Sequence, residues 1–251
     1  MATTKPELRV ALLGDGFMGK AHSNAHTQAG HFFDLPYKIR RKLICGLDSP
    51  LLHATAAQWE WEEVATDWRV AIERKDIDAV DIALPNHLHA EAAIAAAEAG
   101  KIVLCEKPLA LNVEDARAMV RAAAKVPTLV WYNYRRVPAI AYAKQLIAEG
   151  RVGQVFHYDA AYKQQWGADT TRAATWRMDP KQAGSGVADD LLTHVIDTAL
   201  FLNGPLKEAV AATQTFIPGR QIDDAFLAMV RFENGSLGTL QSTRFGIGCK
   251  N

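Results

Sequence analysis

The chain predicts an α/β fold, with an N-terminal Rossmann doubly wound parallel sheet followed by an α+β domain on an open, mostly antiparallel sheet. Three observations carry that expectation. Short β-rich runs alternate with helical patterns from Leu8 to about Tyr132, as βαβ units require. A glycine-rich turn, Gly14-Asp15-Gly16-Phe17-Met18-Gly19, stands directly after the first of those runs. Beyond Arg136 the texture changes to longer strand patterns with few helices between them, which suits an antiparallel sheet.

Taken in order, the strands of the first part are LRVALL, KLICGL, AVDIAL, KIVLC and TLVWY. HFFDLPYKIRR reads as an extra loop before the second of them. AEAAIAAAEAG is alanine-rich, so it predicts a helix, and Gly100 sits where a C′ glycine ends one. Asn86, just after Pro85, is placed at or near its N-cap. A further helix spans residues 113–125, and Pro127 ends it. In the second part, residues 138–149 form a connecting helix and 187–202 another. Strands are expected at 155–164, 208–216, 225–232 and 236–244. The change of pattern divides the chain into a dinucleotide-binding domain, 1–135, and a substrate and oligomerisation domain, 136–251.

Lysine and arginine total 28, as do aspartate and glutamate, so the formal net charge is zero. That leaves no electrostatic footprint for nucleic acid or an anionic membrane, and a small-molecule partner is expected. MATTKPELRV lacks the apolar stretch of a secretory signal, and no apolar run approaches the ~20 residues of a membrane span; a cytoplasmic protein is expected. Cys45, Cys105 and Cys249 are odd in number and widely spaced, so they read as thiols without a catalytic duty.

GxGxxG between a strand and a helix is a dinucleotide signature. Gly14 permits the tight turn, Gly16 lets backbone N–H groups approach a pyrophosphate, and Gly19 allows close helix packing. Phe17 and Met18 belong to the same turn, at a helix N-terminus that favours negative charge. The second strand runs into Asp48, assigned to the ribose hydroxyls in preference to Asp34, which lies within the loop. A carboxylate there repels a 2′-phosphate, and Ser49-Pro50 offers no arginine to hold one, so NAD is expected over NADP.

Glu106-Lys107-Pro108 closes the strand KIVLC, which puts Lys107 at the crevice where open α/β sheets bind ligands. Proline disfavours the αR region for the residue before it, so Lys107 is expected to be extended. Asp190 and His194 are at i and i+4 and share one face of the expected helix. His22 with His26, and His87 with His89, have spacings that suit a metal, yet neither pair has a convincing third ligand nearby in sequence. No metal is expected, and packing or solvent exposure is the preferred reading.

In order, GxGxxG, LPNHLHAE, EKP, NYR and DxxxH resemble the Gfo/Idh/MocA family of glucose-fructose oxidoreductase, inositol dehydrogenase and MocA. The resemblance implies NAD(P)-dependent oxidation of a sugar or cyclitol (inositol-like) hydroxyl, or the reverse reduction. It implies catalytic roles for three residues: His194 takes the hydroxyl proton, Lys107 orients the oxygen and stabilises its charge, and Asp190 positions the substrate or the imidazole. It sets Asn86 and His89 beside the nicotinamide, and counts Glu106 with Lys107 on the cofactor side. Tyr134, Arg135, Trp176 and Arg177 are expected to line the substrate pocket, and Gly186 to begin the helix instead of forming part of that pocket. A homodimer or homotetramer through the C-terminal sheet is expected. ADDLLTH lacks a glycine often found before the histidine, and the second domain reads as truncated relative to the family. Two other readings stand beside this one, a non-catalytic sugar or NAD sensor and an NADPH-dependent carbonyl reductase. Intact Lys107, Asp190 and His194 weigh against the first, and Asp48 against the second.

Overall fold

The computed structural model describes residues 5–47, 49–169, 171 and 175–249. It divides into two compact units, Met1–Trp131 and Tyr132–Asn251, where the change of sequence texture set the boundary at 135.

The first unit runs β1 (Glu7–Leu13), α1 (Phe17–Phe32), β2 (Lys38–Cys45), α2 (Pro50–Gln58), β3 (Glu63–Ala65), α3 (Arg69–Glu73), β4 (Ala79–Ile82), α4 (His89–Glu98), β5 (Ile102–Cys105), α5 (Val113–Ala122) and β6 (Thr128–Val130). All six strands are parallel, in the order β3-β2-β1-β4-β5-β6. Direction of winding reverses between β1 and β4, and a ligand crevice opens at the carboxyl ends of such a pair. Val10 to Leu13 and Ala79 to Ile82 are buried throughout, as strands covered on both faces must be. Ala92, Ala93, Ala96 and Ala97 put the small face of α4 against this core. Gly100 follows with φ +75, the left-handed conformation that a glycine adopts without a Cβ penalty. Asn112 caps α5 by accepting from the Asp115 backbone N–H at 2.8 Å.

Several local expectations change. The loop before β2 is short, because α1 continues to Phe32 and β2 already begins at Lys38. The charges in that stretch do not prevent a strand: Arg40 reaches Glu7 on β1 and Glu62 on the far side, so a half-exposed strand surface satisfies it. β3 and α3 were too short to signal themselves. Asn86 lies close to the cap of α4 without being it: it opens a 3₁₀ turn, Asn86–Leu88, and the N-cap position passes to Leu88.

The second unit contains α6 (Pro138–Ala148), β7 (His157–Lys163), α7 (Pro180–Ala183), a π-helical turn (Ala188–Leu192), α8 (Thr193–Asn203), β8 (Leu206–Gln214), β9 (Ala225–Phe232) and β10 (Leu237–Thr243). Its sheet has the order β7-β10-β9-β8, with β10 parallel to β7 and the other pairs antiparallel. Along β9, Ala228, Val230 and Phe232 face inward and pack with Leu192, Val195 and Ala199, while Leu227 and Met229 face outward. That period of two is the signature of a sheet with one covered face. Among the described residues no helix is long and apolar enough to cross a membrane.

Candidate functional site

In the first unit the glycines of the turn do different work. Gly14 has φ +113, and a Cβ there would lie 2.4 Å from the Ala83 carbonyl oxygen. A Cβ on Gly19 would lie 2.1 Å from the Gly14 carbonyl oxygen. Both glycines let backbone segments approach one another. Gly16 differs, for a Cβ there would meet nothing within 4 Å. Beyond it α1 starts with no side-chain cap and no acidic residue in its first turn. Open space facing uncapped N–H groups, at the positive end of a 16-residue helix, fits a pyrophosphate. Phe17 is exposed at the rim and Met18 is half-buried. Asp48 lies outside the described residues. Asp34 is exposed and paired with Lys5 at 2.6 Å, a surface contact.

Lys107 follows β5, half-buried, and its peptide bond to Pro108 is cis. Beneath it is a network that the sequence did not announce. Glu106 is nearly buried; its Oε2 accepts the Lys107 backbone N–H at 3.0 Å, and its Oε1 lies 3.0 Å from His22 Nε2. His22 Nδ1 lies 2.9 Å from Asp81 Oδ2, and His26 Nε2 lies 2.7 Å from the same oxygen. The Trp131 indole N–H donates to Asp81 Oδ1 at 2.8 Å. Burial opposes a charge on His22, but hydrogen bonds to Asp81 and Glu106, with their charges, push its pKa up to about 10. Burial works likewise against the Asp81 carboxylate. Its bonds with His22 and His26 prevail and hold its pKa well below the usual carboxylate range.

His22 and His26 are therefore neither solvent-exposed nor simply packed. Both serve one buried aspartate, and the available signal was Asp81 interrupting an otherwise apolar strand. Among the described residues no group of three or more His, Cys, Asp or Glu side chains has the arrangement to hold a metal ion. His89 also departs from expectation. It is fully buried, with Nδ1 2.8 Å from the Pro108 carbonyl oxygen and Nε2 2.9 Å from that of Leu84. Its ring joins the loops after β4 and β5 from within, so both nitrogens are directed at backbone. Asn86 is almost buried at the head of the same loop.

In the second unit His194 stands at the start of α8 among aromatic rings. Tyr134 lies edge-on with centroids 4.7 Å apart, Tyr132 at 6.1 Å and Tyr162 at 6.0 Å. The Tyr134 hydroxyl donates to that of Tyr162 at 3.0 Å. Burial pushes the Tyr132 phenol up to about 12, aided by the charge of Asp197. Tyr134 was expected here; Tyr132, which reads as the end of a strand, was not, nor was Tyr162, because β7 comes to His194 only through the fold.

Asp190 lies in the π turn, whose i→i+5 geometry replaces the straight α-helix expected there, so spacing alone does not stack Asp190 over His194. Its Oδ2 accepts from Arg244 Nη2 at 3.1 Å, and Arg244 is itself buried with its guanidinium 4.5 Å over the Trp166 ring. At the start of this turn Asp223 accepts the Gly186 and Ala188 N–H groups at 2.6 and 2.9 Å. Gly186 thus stands just before the π turn. A Cβ on it would lie 1.8 Å from the Asp223 carbonyl oxygen. Arg135 binds Asp197 through two bonds of 2.7 and 2.5 Å, so its guanidinium has a structural duty. Trp176 and Arg177 occupy one short 3₁₀ turn, the guanidinium 4.5 Å over the indole.

A parallel sheet with a phosphate-accommodating turn at its switch point defines a dinucleotide-binding domain, and the lysine at the end of β5 stands where such a sheet binds its ligands. Residues 8–134 match the oxidoreductase family with an NAD-binding Rossmann fold, and residues 140–248 match the GFO/IDH/MocA C-terminal domain. The chain belongs to the Gfo/Idh/MocA family.

It is 40% identical over 270 residues to levoglucosan dehydrogenase of Pseudarthrobacter phenanthrenivorans, covering 97% of this chain and 69% of that protein. D-apiose dehydrogenase of Paraburkholderia graminis is 29% identical over 239 residues, with 93% of this chain and 60% of that protein covered. Among solved structures, levoglucosan dehydrogenase in complex with NADH and levoglucosan superposes with a TM-score of 0.95 at 43% identity. That match covers 98% of this chain and 69% of the other. This chain therefore spans roughly two thirds of the length of such relatives.

Proposed function

We propose that this protein oxidises a hydroxyl-bearing carbon of a sugar with NAD⁺, and that its substrates belong with levoglucosan more than with inositols. The observation that carries the reading is the turn at the end of β1. Gly14 and Gly19 are required by backbone contacts, whereas Gly16 alone faces open space at an uncapped helix end. Bound NAD⁺ supplies the hydride acceptor. The chain's own groups handle the rest: Lys107 places a positive charge on the substrate oxygen, and His194 accepts the proton that leaves it. The tyrosines around His194 keep its ring in one orientation and reduce its access to water. Asp190, held by Arg244, positions the substrate or the imidazole.

A panel of levoglucosan, hexoses and inositols with NAD⁺ or NADP⁺, followed by absorbance of the reduced nicotinamide, tests this reading. Turnover of an anhydrosugar or hexose with NAD⁺ is expected. Lys107→Ala should abolish that turnover and leave NADH affinity within about twofold, because it removes an interaction made with the reacting oxygen. Preference for NADP⁺, or full activity in Lys107→Ala, overturns the respective part. The same reading includes a homo-oligomer through the outer face of the second sheet, where Val210, Leu227 and Met229 are exposed. Light scattering of the purified chain measures it.

A further inference from the structure

We infer that His22 is a positioning residue for Lys107: its ring pins the Glu106 carboxylate, and that carboxylate pins the backbone on which Lys107 stands. The consequence for turnover rests on the proposed oxidation, but the geometry lies wholly within the first unit. Glu106 divides its two oxygens between the His22 ring and the Lys107 N–H. Rotation of that side chain would break both bonds and leave a nearly buried carboxylate without donors, a costly state. Nor is the His22 ring free to turn. Its other nitrogen is held by Asp81, which is fully buried and tied in turn to His26 and Trp131.

The charged and titratable groups bonded into this chain come from three elements. His22 and His26 belong to α1, Asp81 to β4, and Glu106 follows β5. Trp131 covers the ring of His22 edge-on, with centroids 5.2 Å apart. With carboxylate oxygens on both sides, the ring carries a proton on each nitrogen, in line with its raised pKa. A well-packed apolar side chain fills a buried space at lower desolvation cost than a chain of charges. What the charges add is direction: each group has one arrangement that satisfies it, and the series ends at the lysine backbone.

The test compares His22→Gln, Glu106→Gln and the double variant in the full chain. A glutamine at 22 keeps bulk and a donor but cannot donate on both sides, and one at 106 presents an amide NH₂ to one of two donors. Each single variant should lower kcat on the order of 100-fold, as misplacement of a reacting group does. NADH affinity in His22→Gln should fall far less than kcat, since the phosphate turn is untouched. The double variant should lose little beyond either single one, because the two residues act in series. Wild-type kcat in His22→Gln, or losses that add, overturns the inference.

A second measurement needs no turnover. Acylation of lysines by an amine-reactive reagent, mapped by peptide mass spectrometry, should change at Lys107 in His22→Gln while Lys20 and Lys38 label as before. An unchanged Lys107 overturns the inference even if no sugar is oxidised, and a changed Lys107 upholds it when the oxidation reading has failed. Should neither variant fold, amide exchange of wild-type Lys107 decides: slow exchange supports its bond to Glu106, and exchange at the rate of an open loop refutes it.

Discussion

Gly16→Ala and Gly19→Ala separate cofactor binding from stability within one turn. At Gly19 the new Cβ would lie 2.1 Å from the Gly14 carbonyl oxygen, and both contacting atoms belong to backbone that cannot swing aside. Relief requires moving α1 away from β1. Overpacking of this kind costs about 1–3 kcal/mol. At Gly16 the Cβ meets nothing within 4 Å, and φ is −73, which alanine adopts readily. Alanine is a poorer N-cap than glycine, but it also reduces the freedom of the unfolded chain. The two effects offset to within about 0.5 kcal/mol. Its methyl group, however, occupies the space through which a pyrophosphate approaches. Urea unfolding should therefore shift for Gly19→Ala and hardly at all for Gly16→Ala, whereas NADH fluorescence titration should show Gly16→Ala weakened about tenfold or more. Wild-type NADH affinity in Gly16→Ala, or a wild-type unfolding midpoint in Gly19→Ala, would refute the division of labour among these glycines.

Other outcomes follow from the same geometry. The His22 pKa is raised from about 6.5 unfolded to about 10 folded, so its contribution to stability is complete below about pH 6.5 and lost as pH rises through 10. Melting temperature against pH should fall less steeply across that window in His22→Gln than in wild type, and equal slopes would contradict the charged ring. For Asp81 the sign is opposite. Its folded pKa is depressed, so its stabilisation is present above the unfolded value near 3.8 and disappears in acid, where Asp81→Asn should show a shallower loss. Arg135→Ala removes both donors from nearly buried Asp197 and should cost about 1–3 kcal/mol in urea unfolding, with the effect dominated by the stranded carboxylate. Burial pushes the Cys45 thiol up to about 12 and raises that of Cys105 as well, so a thiol reagent should modify half-buried Cys249 first and the other two only on unfolding.

Much of the fold was legible because local pattern carried it. Apolar runs such as Val10 to Leu13 announced buried strands, the alanines of α4 announced a helix, and the longer strand patterns beyond Arg136 announced a mostly antiparallel sheet. Short pieces such as β3 and α3 escaped, since three to five residues hold too little periodicity to register. The charged start of β2 has the local pattern of a loop because its ion-pair partners, Glu7 and Glu62, are distant in sequence. The site divides along the same line. Gly14, Gly16, Gly19, Lys107 and His194 were singled out by motif, that is, by spacing along the chain.

Roles that depend on what a side chain meets belonged to the tertiary structure alone. His89 turned inward to two carbonyl groups, Arg135 went to Asp197, and Asp190 found Arg244 at the end of β10. His22 and His26 on α1, Asp81 on β4 and Glu106 after β5 lie on three separate segments, and nothing along the chain joins the histidines to the two carboxylates. The sequence by itself determined the longer strands and helices, the phosphate turn and the lysine after β5, because propensity and hydrophobic period act between near neighbours. Only the folded arrangement decided which buried charges answer one another. Electrostatic energy in a dry interior depends on distances of a few ångströms between segments that the linear order leaves far apart.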